Sequence, residues 1–195
     1  MDFNKLYGLV LTGGRSSRMG MDKGKIPYHG LPHREYLYQL LKPLCQETFM
    51  SVREEQVHEF TGDYDLIIDR DEYRGPYNGI LSAYKLDSGA SWLVLACDLP
   101  LIDQRALEFL IAERDPERMA TAYATRHNGL PEPLFAIWEP QGLQRSKEYL
   151  EEGNGSCPRK FLINGDIKLV VPYKDEVLLN ANDKEDYEKV INILM

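Results

Sequence analysis

The sequence predicts a single α/β domain over residues 1–195: a three-layer, doubly wound, mostly parallel sheet with helices on both faces. Three observations carry that expectation. Short apolar runs alternate with segments of helical periodicity along the whole chain. The clearest runs are continuous rather than alternating, as strands buried on both faces must be. The runs also end in loops rich in glycine, acids or cations, and sheets of this kind bind ligands outside the carboxyl ends of their strands.

The elements follow in order. Leu6 to Leu11 is an apolar run that stops at glycines, which reads as a buried strand. Pro32 to Glu47 carries Tyr36, Leu37, Leu40, Leu41 and Leu44 at helical spacing, and Pro43 should kink or shorten that helix. Thr48 to Val52 and Asp65 to Asp69 are short strands. Tyr77 to Leu86 sets Ile80, Leu81 and Tyr84 on one helical face. WLVLACDLP is the clearest strand and ends in an acid. Asp103 can cap a helix with Leu107, Leu110 and Ile111 inward, stopped at Asp115-Pro116. Met119 to Thr125, Leu134 to Trp138 and Ile167 to Val171 read as later strands. A helix from Leu143 to Glu152 ends at Gly153, and a last one starts at Asn182 or Asp183 and buries Tyr187, Val190, Ile191 and Leu194. The order is that of repeated βα units, which favours a parallel sheet.

Composition narrows the classes. Hydrophobic residues at 43% and charged residues at 28% fit a globular chain long enough to bury a sizeable core. No apolar run reaches the roughly 20 residues of a membrane span, and MDFNKLYGL lacks the pattern of a secretory signal. A net charge of -8 argues against a nucleic-acid binder. Cys45, Cys97 and Cys157 form no CxxC pair, and His29, His33, His58 and His127 show no metal-ligand spacing. Solvated or packing roles are expected for the histidines, and a reducing cytoplasm for the chain.

The candidate site comes from the loops. GLVLTGGRSSRMGMDKGK, Gly8 to Lys25, places Gly13 and Gly14 after a buried strand, where backbone N–H groups can approach a phosphate. Arg15, Arg18, Lys23 and Lys25 supply cations. The spacing is neither GxxxxGK[ST] nor GxGxxG, which disfavours a nicotinamide-dependent dehydrogenase. Asp98 offers a hard oxygen for Mg²⁺ at a rigid strand end. A loop from Asp69 to Gly79 joins these on one rim, although Asp69 and Gly75-Pro76 alone also suit an ordinary turn.

LTGGRSSRMGMDK, Gly75 to Gly79, Cys97 to Pro100, and Asn180-Ala181-Asn182 together resemble the molybdenum cofactor guanylyltransferases and their molybdopterin nucleotidyltransferase relatives. The resemblance implies a nucleotide-diphospho-sugar transferase-like, Rossmann-like fold. It also implies transfer of GMP from GTP to the terminal phosphate of molybdopterin, with pyrophosphate released. It assigns nucleotide contacts to Leu11, Thr12, Gly13, Gly14, Lys23, Ser51, Asp69, Gly75 and Asp98. Arg18, Lys23 and Asp98 are the implied catalytic residues, with Mg²⁺ on Asp98. Asn180 and Asn182 complete the metal or acceptor site, and a cap for the last helix is an equal reading for Asn182. Transient contacts with other molybdenum-cofactor proteins are implied as well. Two departures stand out: Ser51 occupies the position where guanine-selecting members carry Asn, and GPYNG replaces a usual Leu-Ala centre. A modest preference for guanine is therefore expected, with Asp69 accepting from its N1–H and amino group. A cytidylyltransferase, a sugar-phosphate acceptor and a non-catalytic nucleotide-binding relative remain alternatives.

Overall fold

The structure is a computed structural model and describes residues 5–13 and 22–195. Its strands are β1 (Leu6–Leu11), β2 (Glu47–Val52), β3 (Asp65–Ile68), β4 (Ser91–Ala96), β5 (Ala120–Ala124), β6 (Pro131–Trp138) and β7 (Ile167–Val170). They form one sheet in the order β3-β2-β1-β4-β6-β5-β7. Only β6 runs against its neighbours, pairing antiparallel with both β4 and β5. The mostly parallel expectation holds.

Each interior strand feeds two cores because side chains alternate between the faces of the sheet. From β1, Leu6 and Val10 enter one core and Leu9 the other; from β4, Leu93 and Leu95 part from Trp92 and Val94 in the same way. All six residues of β4 are buried, which is why this strand reads as an unbroken apolar run. Helices α1 (His33–Leu41) and α3 (Gln104–Ala112) cover the first face, through Leu37, Leu41, Leu107 and Leu110. Helices α2 (Tyr77–Leu86), α4 (Pro140–Glu151) and α5 (Pro158–Ile163) cover the second, through Tyr77, Ile80, Leu81, Leu143 and Phe161. Trp92 and Trp138 stand as partners across β4 and β6, both fully buried. Helix α6 (Lys184–Leu194) docks elsewhere, on a small cluster of Ile26, Tyr28, Leu101, Ala181 and Val190 beside the sheet rim.

The boundaries differ from expectation at several places. Helix α1 stops at Leu41, with Lys42 as its cap, because Pro43 cannot continue the hydrogen-bond ladder. Leu44 lies beyond the helix and only packs against the core edge. Ile111 packs against the first core but is only half-buried. In α6 only Val190 is buried; Tyr187 and Ile191 are half-buried and Leu194 is exposed. The helix lies on the rim rather than across the sheet, so one apolar row is enough to hold it. Helix α5, with Pro158 at its first turn, and the short 3-10 turns at 23–25, 54–59 and 175–178 had no periodic signal. Segments that short present too little apolar stripe to be read from spacing.

Candidate active site

The direction of winding reverses between β1 and β4, since β2 and β3 lie on one side of β1 and β4 begins the other. A crevice is expected at the carboxyl ends there. A cleft of about 510 Å³ opens at this rim, within the range of small-molecule sites. Its walls come from the three anticipated loops: Leu11 to Gly13, with Asp22 to Gly24; Asp69 to Gly79 in part; and Ala96 to Asp98. The end of β2 adds Ser51 and Arg53. Of the sequence candidates, Leu11, Thr12, Gly13, Lys23, Ser51, Asp69, Gly75 and Asp98 line the cleft. Gly14, Arg15 and Arg18 lie outside the described residues.

The turn after β1 is folded back on β2. Thr12 donates both its N–H, at 3.0 Å, and its Oγ1, at 2.7 Å, to the Ser51 carbonyl. The amide of buried Gln56 donates to the Thr12 carbonyl at 3.5 Å, and the Arg53 guanidinium donates to the Gly13 carbonyl at 3.3 Å. The backbone is thus pinned through its carbonyls. A Cβ on Gly13 would lie 2.7 Å from Asp69 Oδ2, so any side chain there would displace that carboxylate.

Lys23 sits in the 3-10 turn at 23–25, which Asp22 caps by accepting from the Gly24 N–H at 2.9 Å. Lys23 Nζ donates to Asn182 Oδ1 at 2.7 Å. The neighbouring Ala181 N–H donates to the Asp98 carbonyl at 2.8 Å. The Asn-Ala-Asn segment therefore touches Lys23 and the backbone of Asp98 directly. Asn182 is not the side-chain cap of α6; Asp183 is, accepting from the Asp186 N–H at 3.0 Å. Asn180 is half-buried and its amide donates to the Leu178 carbonyl at 3.5 Å; neither asparagine lines the cleft wall. Lys25, expected among the loop cations, does not line the cleft and pairs with Glu59 at 2.8 Å. Buried Arg34 shares that Glu59, also at 2.8 Å.

Two histidines hold the Asp98 loop from beneath. His29 Nε2 lies 2.8 Å from the Pro100 carbonyl, and His33 Nε2 lies 3.3 Å from the Leu99 carbonyl. A carbonyl only accepts, so each ring donates from Nε2. Burial lowers the His33 pKa to about 3, with His29 adding repulsion, and its ring is neutral. The packing role expected of His33 is observed. Burial raises the Asp98 carboxyl above the usual range, against the pull of Lys23 and Arg159. Burial raises the Cys97 thiol as well, leaving it an inert wall residue.

At the other end of the cleft, Ser51 Oγ donates to Asp69 Oδ1 at 2.5 Å. Burial pushes the Asp69 carboxyl from 3.8 up to about 6, with Ser51 opposing and Asp71 adding to the rise. Ser51 is buried and its proton is committed to that carboxylate, so it orients Asp69. The GPYNG departure acquires a local reason. Asn78 donates from Nδ2 to Asp71 Oδ1 at 3.3 Å and accepts from the Tyr73 N–H at 3.4 Å, stapling the loop. Asp71 takes φ 53, a left-handed backbone that Asp tolerates better than most residues. Tyr77 fills the second core against Trp138, with ring centroids 6.3 Å apart. Arg53, Gln56, Asp71, Tyr73 and Asn78 were not singled out from sequence, because each is an ordinary polar or loop residue until tertiary structure gathers them. Among the described residues, no group of three or more His, Cys, Asp or Glu side chains could hold a metal ion, and no helix is long and apolar enough to cross a membrane.

Residues 8–167 match the family described as the MobA-like NTP transferase domain. A molybdenum cofactor biosynthesis bifunctional protein from Synechocystis sp. is 39% identical over 186 residues, covering 95% of this chain and 53% of the relative. The chain thus spans about half the length of that relative. A molybdenum cofactor guanylyltransferase from Ectopseudomonas mendocina is 32% identical over 182 residues, covering 91% of this chain and 87% of the relative. Among solved structures, molybdopterin-guanine dinucleotide biosynthesis protein A from Archaeoglobus fulgidus superposes with a TM-score of 0.78 at 21% identity, covering 96% of this chain and 97% of that one. At that identity the likeness concerns the fold.

Proposed function

The chain belongs to the MobA-like NTP transferase family, and from that premise we propose that it moves GMP from GTP to the terminal phosphate of the molybdenum-molybdopterin cofactor. Pyrophosphate is released and molybdopterin guanine dinucleotide is formed. The observation that carries this reading is the convergence, in one cleft at the sheet's switch point, of Gly13, Lys23, Asp69 and Asp98 from three loops.

The reaction needs no protein nucleophile. An oxygen of the acceptor phosphate attacks the α-phosphorus of GTP, the bond from that phosphorus to the oxygen bridging to the β-phosphate breaks, and pyrophosphate carries the electron pair away. Catalysis of such a transfer rests on positioning and charge stabilisation. Gly13 permits the turn that brings backbone close to the triphosphate. Lys23 offsets charge on the leaving pyrophosphate and exchanges its Asn182 contact for phosphate oxygens. Arg18, by the family pattern, shares that task. Asp69 reads the guanine edge.

Asp98 is the residue that would hold Mg²⁺. A lone carboxylate fits this ion, which is commonly held by one or two carboxylates with substrate phosphates and water completing its shell. When bound, the ion withdraws charge from the α-phosphate. Asn182, in contact with Lys23 outside the cleft lining, is the candidate acceptor contact, and its segment is tied to Asp98 through the Ala181 N–H.

The test is thermal stabilisation by nucleotides in the presence of Mg²⁺. GTP at about 100 times its Kd should add about 2.7 kcal/mol of stability, and ATP, CTP and UTP should add less. A larger shift with CTP would replace guanylyl by cytidylyl transfer. No shift with any nucleotide would remove the proposal.

A further inference from the structure

The cleft holds a second charged group beside Asp69 that the roles above leave unused. Strands β2 and β3 run in parallel register as far as Val52 opposite Ile68, and one further step sets Arg53 beside Asp69. The two side chains converge on one backbone point. A Cβ on Gly13 would lie 2.7 Å from Asp69 Oδ2 and 3.6 Å from Arg53 Cγ. Both residues line the cleft. Among the described residues the guanidinium donates to the Gly13 carbonyl at 3.3 Å. Its Nε is buried without a hydrogen-bond partner, although the carboxylate of exposed Glu55 lies 2.9 Å away.

We infer that Arg53 is a second base-reading side chain, donating to guanine O6 and N7 while Asp69 accepts from N1–H and the 2-amino group. This rests on the guanylyl reading above and names the residue that supplies its selectivity. The position favours base over phosphate. Asp69 and Arg53 stand at the ends of β3 and β2, whereas Asp98 follows β4, on the far side of β1. Neighbouring strands are about 4.8 Å apart, so the two ends of the cleft are separated by roughly the length of a nucleoside. A carboxylate at the β3 end also repels phosphate. The chemistry favours guanine. A guanidinium presents a planar fork of donors, and guanine offers two adjacent acceptors, O6 and N7, to match it. Adenine sets an amino donor beside N7, and cytosine has no N7. Ser51, whose hydroxyl is committed to Asp69, leaves this edge of the base to Arg53.

The experiment measures Kd by calorimetry for GTP, 7-deaza-GTP, ATP and CTP, on the parent, Arg53→Ala and Arg53→Lys. The parent should bind GTP about 5–100-fold tighter than 7-deaza-GTP, which lacks the N7 acceptor. Both variants should lose that ratio and bind GTP about 10–100-fold more weakly. Arg53→Lys keeps the charge and loses the fork, so it should retain ATP and CTP affinity; it also carries the test if the alanine variant fails to fold. Equal weakening of all nucleotides in both variants would make Arg53 a phosphate or loop-holding residue and overturn the inference. So would equal binding of GTP and 7-deaza-GTP by a parent that still prefers GTP to ATP and CTP, which would leave the guanylyl reading intact. A parent with no guanine preference would overturn both.

Discussion

Replacing Asp69 with Asn should stabilise the empty protein and weaken the nucleotide-bound one. In the folded chain burial lifts the Asp69 carboxyl from 3.8 to about 6. The native state therefore holds this proton more tightly than the unfolded state. Stability associated with it is complete below pH 4 and is lost as pH rises toward 6, remaining lost above that. The gap corresponds to at most about 3 kcal/mol at 1.36 kcal/mol per pH unit, and solvent screening of a half-buried group reduces it to about 1–2 kcal/mol. Asn cannot ionise and escapes this cost. At pH 8 the Asp69→Asn variant should melt about 2–8 °C above the parent, and the advantage should shrink to nothing near pH 4. The same variant should lose most of the GTP-induced shift, because hydrogen bonds to a charged group contribute about 1.5–3 kcal/mol each. Melting curves from pH 4 to 8, with and without Mg²⁺ and GTP, measure both effects. A stability change independent of pH would refute the buried-carboxylate argument, and an undiminished GTP shift would refute its role at the base.

Three further outcomes follow from the same geometry. Lys23→Ala should change the melting temperature little, since the hydrogen bond of Lys23 to Asn182 is exposed, and should lower turnover by on the order of 10²–10³; full activity would make Lys23 a loop residue. Asp98→Asn should raise the Mg²⁺ concentration needed for half-maximal rate and nearly abolish transfer, and a titration identical to the parent's would move the metal elsewhere. Gly79→Ala should lower the melting temperature despite the better helix propensity of Ala. The added Cβ would lie 2.7 Å from Leu11 Cδ2 and press on Ser51 Oγ, an overpacking worth about 1–3 kcal/mol; a rise in melting temperature would show that the first turn of α2 can give way.

The strands were legible because each interior one is a continuous apolar run, and the rim was legible because three such runs end in chemically unusual loops. Lys23, Asp69 and Asp98 were found that way. Ser51 was assigned a nucleotide contact by resemblance, and the bond of its hydroxyl to Asp69 could not be read from sequence. Arg53 and Asn78 were missed because nothing in a lone Arg after a strand, or an Asn at the start of a helix, separates it from a solvated residue. The Arg53 partner, Gly13, is 40 residues away in sequence, and the Asn78 contact to Asp71, 7 residues away, depends on the fold of the loop between them. The histidines tell the same story. His29 and His33 lack metal-ligand spacing, as sequence indicated, but their hold on the Leu99 and Pro100 carbonyls spans 66 and 71 residues and becomes visible only when α1 packs beneath the rim.

The central claim is a transfer that needs both substrates at once. Pyrophosphate release should therefore be measured with Mg²⁺ and GTP, with and without the molybdenum-molybdopterin acceptor, alongside the Asp98→Asn variant. The account predicts release that requires the acceptor, favours GTP over CTP and disappears in the variant. Release that is unchanged when the acceptor is withheld, or that survives in Asp98→Asn, would contradict it.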